Sequence, residues 1–167
     1  LTAPVRDPGT SNLTPTYAVP NLGDDYERMG KALARLSAPF QEALDARAAR
    51  AGKRAGMEAA AQASADIEAG RTPKRAEVST GQRVVGVLTH GAYEKAFQAA
   101  NLAGLKNDID KRDAQLRAEH QYEPEAYQTA AAAAQSGFIQ GSARELAVDV
   151  EEYANVKFGD GYTAVSS

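Results

Sequence analysis

The chain has no cysteine, so disulfides and thiolate metal sites are excluded. It has no tryptophan, and aromatic residues make up only 7% of it, so large apolar side chains are scarce. Its only histidines, His90 and His120, stand too far apart along one predicted helix to share a metal ion. No run approaches the ~18 apolar residues that a membrane span needs. The N-terminus is polar and Pro-rich, without the charged start and apolar middle of a signal peptide. Neither charge sign dominates: 19 Lys and Arg face 22 Asp and Glu, for a net charge of −3. That balance weighs against a general nucleic-acid binder, which carries a basic stripe. The locally basic segments RAARAGKR (47–54) and RTPKR (71–75) lack interleaved aromatics and read as solvated surface.

What is abundant is alanine, about one residue in five. Alanine favours helix but buries little area per residue. The pattern predicts an all-α fold: an elongated bundle of long Ala-rich helices, one αα-hairpin, and an extended Pro-rich N-terminal arm. Residues 1–23 form the arm, because Pro4, Pro8, Pro15 and Pro20 bias the chain toward extended structure. Leu13, Tyr17, Val19 and Leu22 give it apolar groups with which to clasp a neighbour. A first long helix is predicted over 24–70, begun by Asp24 or Asp25 and stopped by Gly70. Pro39 should kink or break it after Ser37. Its stripe runs from Tyr26 through Met29, Leu33, Leu36 and Phe40 to Leu44, then thins to alanine. So small a face calls for close packing on another helix.

Residues 71–89 read as a linker, in which Val84, Val85, Val87 and Leu88 form a short run suited to a strand or a buried plug. The helical hairpin spans 90–158. Its first helix carries the stripe Tyr93, Phe97, Leu102, Leu105, Ile109 and Leu116. The opposite face is charged. Asp108–Arg112 and Asp113–Arg117 stand at i, i+4 with acid before base, the pattern of a solvated helix face. Pro124 suits the first turn of the next helix. That helix is predicted to about Asn155, with Tyr127, Phe138, Leu146, Val150 and Tyr153 as its larger apolar members. Gly137 and Gly141 mark close packing or a flexible point, and Gly159 and Gly161 end the element. Each hairpin helix should be roughly 40–45 Å long at ~1.5 Å per residue. Residues 159–167 read as a tail or the entry to further chain. With Leu1 as first residue, this reading expects an ordered part of a longer polypeptide.

No constellation carries chemistry. Glu151 and Glu152 are adjacent and point to different sides of a helix, and Glu123 and Glu125 flank a turn. No phosphate-binding glycine loop appears, and GDG at 159–161 is too short for a calcium loop. The expectation is a non-enzymatic chain with no cofactor, no metal and no small-molecule ligand.

One resemblance attaches to these residues. The segment GAYEKAFQAANLA (91–103), then Ile109-Asp110, LRAEH (116–120) and EPEAYQ (123–128), resembles bacteriophage internal-virion (ejection) proteins and similar tail-associated polypeptides. Tyr93, Phe97, Leu102, Leu105, Asp108 or Asp110, Leu116, Glu119, His120, Pro124 and Tyr127 fit their outline over about fifty residues. The resemblance implies a structural role in the virion, inside the capsid or in the tail. The partners it implies are other copies in a ring or tube and portal or tail proteins, with DNA nearby but not read by sequence. Some such proteins carry a peptidoglycan-cleaving domain, but nothing in this chain resembles its catalytic Glu motif. The interaction residues expected on this reading are Tyr93, Phe97, Leu102, Leu105, Ile109, Leu116, Tyr127, Phe138, Leu146 and Val150, with Tyr17 and Leu22 from the arm. Phe97→Asp should then abolish oligomerisation. The alternatives are a helical adaptor or scaffold module of the bacterial cytoplasm, and a non-catalytic flank of a cell-wall hydrolase.

Overall fold

The computed structural model describes residues 22–34 and 38–167. Every regular element among them is helical: α1 (Leu22–Ala34), α2 (Ala38–Glu68), α3 (Thr80–Leu88), α4 (Ala92–Glu119), α5 (Pro124–Gly141) and α6 (Ala147–Ser166). A single 3-10 turn, Arg144–Leu146, precedes α6. The all-α bundle with a hairpin is as the sequence predicts. Most of the expected arm, Tyr17 included, lies outside the described residues. Leu22 and Gly23, assigned to that arm, open α1 instead.

In keeping with the break expected after Ser37, α1 ends at Ala34 and α2 begins at Ala38, just before Pro39. That proline is the second residue of α2, where a missing amide hydrogen costs nothing. From there α2 continues for 31 residues to Glu68. Gly70 closes it in the left-handed region (φ 72°), with Gly70 N donating to Ile67 O and Arg71 N to Asp66 O. These two bonds make a Schellman stop, and a side chain at that φ would be strained.

The alanine-thinned half of α2 packs closely on α4. Gly52 lies against the Tyr93 backbone, Gly56 against Phe97 and Asn101, and Ala60 against Gly104. The contacts advance together along both helices, so α2 and α4 run parallel. This is the most extensive pairing in the fold. A parallel pair needs a long return, and residues 69–91 supply it.

That return corrects the linker and strand reading. Ser79 caps α3 by accepting from Gln82 N at 3.3 Å, and the run beginning at Val84 is helical. Ser79 and Gln82 stand in capping-box spacing, a helix-start signal that outweighs the β-branched valines over one short turn. Residues 71–79 form an extended strap, with Pro73, Ala76 and Val78 buried and Ala76 N donating to Gly141 O.

Helix α4 lies between α2 and α6, and α5 runs antiparallel across all three. Pro124 opens α5, after a turn in which Tyr122 takes a positive φ of 66°. The predicted third helix is broken. It stops at Gly141, passes through extended Ser142 and Ala143, and restarts as α6. The break is held from outside: Asn101 Oδ1 accepts from Ala143 N at 3.3 Å, and Arg75 donates to Ser142 O at 3.2 Å. The expected C-terminal tail is also helical. Gly159 and Gly161 do not end α6, which runs to Ser166.

The core is densest where α4, α5 and α6 meet. Leu105, Ile109, Leu116, Tyr127 and Val150 are fully buried, and Phe138 nearly so. Each such side chain contributes about 1.5–3 kcal/mol through burial.

Candidate functional site

The most concentrated polar chemistry among the described residues is a buried cluster joining three helices. Asp113 on α4 is 5% exposed, and Tyr127 on α5 is fully buried. The Tyr127 hydroxyl donates to Asp113 Oδ1 at 2.5 Å and lies 3.3 Å from the Phe158 carbonyl of α6. Arg117, one turn along α4, donates Nε to Asp113 Oδ1 at 3.1 Å and pairs with Oδ2 at 2.8 Å. Gly161 of α6 closes the cluster, because any Cβ there would collide with the Tyr127 hydroxyl and the Asp113 carboxylate.

Burial pushes the Tyr127 phenol well above its ordinary range, and the hydrogen bond and charge of Asp113 add to the shift. The Asp113 hydrogen bond likewise raises Arg117 and keeps it charged. Both Asp113 oxygens are therefore engaged, and Gly161 leaves no room for a substrate. This arrangement is a three-helix lock, not an acid–base site. Tyr127→Phe is expected to cost about 1–3 kcal/mol, since it leaves a buried carboxylate short of a donor. The fall in urea midpoint measures this.

The lock also gives a pH dependence. A phenol raised above its ordinary ~10 keeps its proton in the folded state after the unfolded chain has lost it. Its stability contribution is complete below pH ~10 and falls as pH rises further. Tyr153, raised chiefly by its 2.7 Å hydrogen bond to Asp110, acts in the same direction. Tyr127→Phe should lose less stability than wild type between pH 8 and roughly 10.5. Equal losses in the two proteins would contradict the lock.

Other polar groups do not converge. His90 lies 3.4 Å from Asp45, and His120 lies 3.9 Å from Glu123, at opposite ends of α4. No group of three or more His, Cys, Asp or Glu able to hold a metal occurs among the described residues. No helix among them is long and apolar enough to cross a membrane. Burial pushes the Asp108 carboxyl up, opposed by Lys111 and reinforced by Glu68, in an open cleft between α2 and α4. A cleft of about 250 Å³ beside the strap is lined by Arg75, Arg83 and Arg144 and by Glu77, Glu94 and Glu145, a balanced set that selects neither anion nor cation.

The predicted interaction residues have a different place from the one expected. Phe97, Leu105, Ile109, Leu116, Tyr127, Phe138, Leu146 and Val150 are buried inside this one chain. Tyr93 and Leu102 pack against that core, half-buried. These residues are the core of the chain itself and offer no free seam to a second copy. Leu22 opens α1, and Tyr17 lies outside the described residues. Phe97→Asp is therefore expected to unfold the chain by burying an unpaired carboxylate. Circular dichroism checks this: native helicity in the variant would contradict it.

Asp113, Arg117, Asn101 and Gly161 are not among the site residues expected from the sequence. The Asp113–Arg117 pair forms as spaced but faces inward, and Arg112 turns to Gln115 instead of Asp108. Comparisons with protein-family models, with curated proteins and with solved structures find no match to this chain.

Proposed function

We propose that this chain is a non-enzymatic structural component of a tailed-phage particle, of the internal-virion or tail-associated kind. It acts at the DNA-exit path or in tail assembly, by packing with copies of itself and with portal or tail proteins. The observation that carries the reading is the residue outline over 91–128. Its apolar anchors, Phe97, Leu105, Leu116 and Tyr127, are all buried in one core cluster, and Pro124 starts the second helix of the hairpin. Long helices and small-residue seams suit a part that transmits position and force, because close-packed helices deform little.

The test is peptide mapping of the protein from its natural source, across a density gradient. Recovery in sedimenting particles, together with portal and tail proteins, is the expected result. Recovery only as free protein, away from any particle, would overturn the proposal and favour the adaptor.

A further inference from the structure

With the hairpin stripes consumed by the protomer's own core, assembly needs another surface. Two exposed helix faces on separate flanks of α4 meet that need. On α2, Phe40, Arg47, Arg50, Arg54 and Met57 follow steps of seven, three, four and three residues on the side away from Gly52, Gly56 and Ala60. All five are exposed, with Phe40 at 51% and Met57 at 54%. The three arginines form no ion pair among the described residues, and Lys53 adds to their charge. No acid occurs between Asp45 and Glu58, and Asp45 faces His90.

On α6, Val148, Glu151, Glu152 and Tyr162 lie on the outer side, all exposed, with Val148 at 64% and Tyr162 at 41%. Asp149 adds a third acid. The one base on α6, Lys157, is turned toward Asp110 of α4 at 3.5 Å. Neither Glu151 nor Glu152 forms an ion pair among the described residues.

The two faces share one design with opposite sign: a charged centre bracketed by large exposed apolar side chains. At ~1.5 Å per residue the brackets are roughly 25 Å apart on α2 and 21 Å on α6. Both helices pack on α4 and share no substantial contact with each other, so a protomer cannot satisfy one face with the other.

From this complementarity we infer that a second copy of this chain docks head-to-tail, the basic outer face of α2 on one copy against the acidic outer face of α6 on the next. Because the two surfaces differ, each end of a growing chain keeps one free face, and the contact propagates into a ring or tube. The inference rests on the proposal that the chain assembles with itself, and it names the surface.

Sedimentation equilibrium of the full chain and two charge-reversed variants tests it. One variant carries Arg47→Glu, Arg50→Glu and Arg54→Glu, and the other Glu151→Arg and Glu152→Arg. Wild type should self-associate at low salt and weaken toward roughly 1 M salt, where the screening length falls to about 3 Å. Each variant alone should associate about 100-fold more weakly, through like-charge contact. An equimolar mixture should recover assembly, since each variant then meets an opposite face. Helicity by circular dichroism confirms that the exposed substitutions leave the fold intact, and the wild-type salt series stands independently of the variants. Salt-insensitive assembly, undiminished assembly by either variant alone, or a mixture that fails to recover it, would overturn this surface while leaving self-assembly standing. A wild type that stays monomeric at low salt would overturn both.

Discussion

Gly161→Ala is expected to destabilise the protein by about 3–5 kcal/mol, while Gly159→Ala, two residues away on the same helix, is expected to stabilise it by roughly 0.5–1 kcal/mol. The signs differ because the surroundings differ. A Cβ at Gly159 meets nothing within 4 Å, so only the gain in helix propensity remains. A Cβ at Gly161 collides with the Tyr127 hydroxyl and the Asp113 carboxylate and stands 2.5 Å from the Tyr127 ring carbon bearing the hydroxyl. Neither group yields cheaply, because each is buried and holds the other. The substitution must push α6 away or break the Asp113–Tyr127 bond, which strands a charge in the core. Urea denaturation of the two single variants checks the pair. A neutral Gly161→Ala would mean that the lock does not hold α6 in place.

The second large effect belongs to the parallel seam. Gly52→Ala and Gly56→Ala are each expected to cost about 2–3 kcal/mol by overpacking. At Gly52 the new atom collides with the Tyr93 carbonyl oxygen and stands 2.9 Å from its carbon. At Gly56 it collides with the Phe97 carbonyl oxygen and stands 3.0 Å from the Asn101 amide nitrogen. These are backbone atoms of α4, so no rotamer change relieves the clash and the helices must separate. Separation also lengthens the Asn101 hydrogen bond to Gly56 O, already 3.4 Å. The double variant should lose less than the sum of the singles, since one separation serves both sites. Gly81→Ala, with nothing within 4 Å, is the control and should be neutral or slightly stabilising. Wild-type thermal midpoints in the two seam variants would contradict a close parallel contact.

Much of this architecture is legible in the sequence where a local rule governs. The period of Phe97, Leu105, Ile109 and Leu116 marks the buried side of α4, Pro124 marks the start of α5, and Gly70 marks the end of α2. The alanine thinning of α2 signals close approach, though not that Gly52 and Gly56 make the contact or that the partner runs parallel. Other features are set by tertiary context. The i, i+4 rule identifies Asp113 and Arg117 as partners but does not say which way they face. Helix α4 has neighbours on several sides, so part of its charged face is interior. Gly159 and Gly161 read as a stop because glycine disfavours helix, yet at Gly161 that cost is outweighed by the fit against Tyr127. Gly141–Ser142 was the available signal for the break before α6, and Ser79 with Gln82 was the signal for α3. The valine run beside Ser79 masks the second, while the first reads in the sequence only as close packing or a flexible point. The outer faces of α2 and α6 become meaningful only once α4 is known to bury their inner faces.

Self-assembly is a proposal for a chain whose hairpin stripes are already used in its own core. Native mass spectrometry of the full chain at low ionic strength tests it most directly. Masses at several multiples of 17.6 kDa are expected, extending beyond the dimer as head-to-tail contact requires. A single species at 17.6 kDa across the concentration range would contradict it.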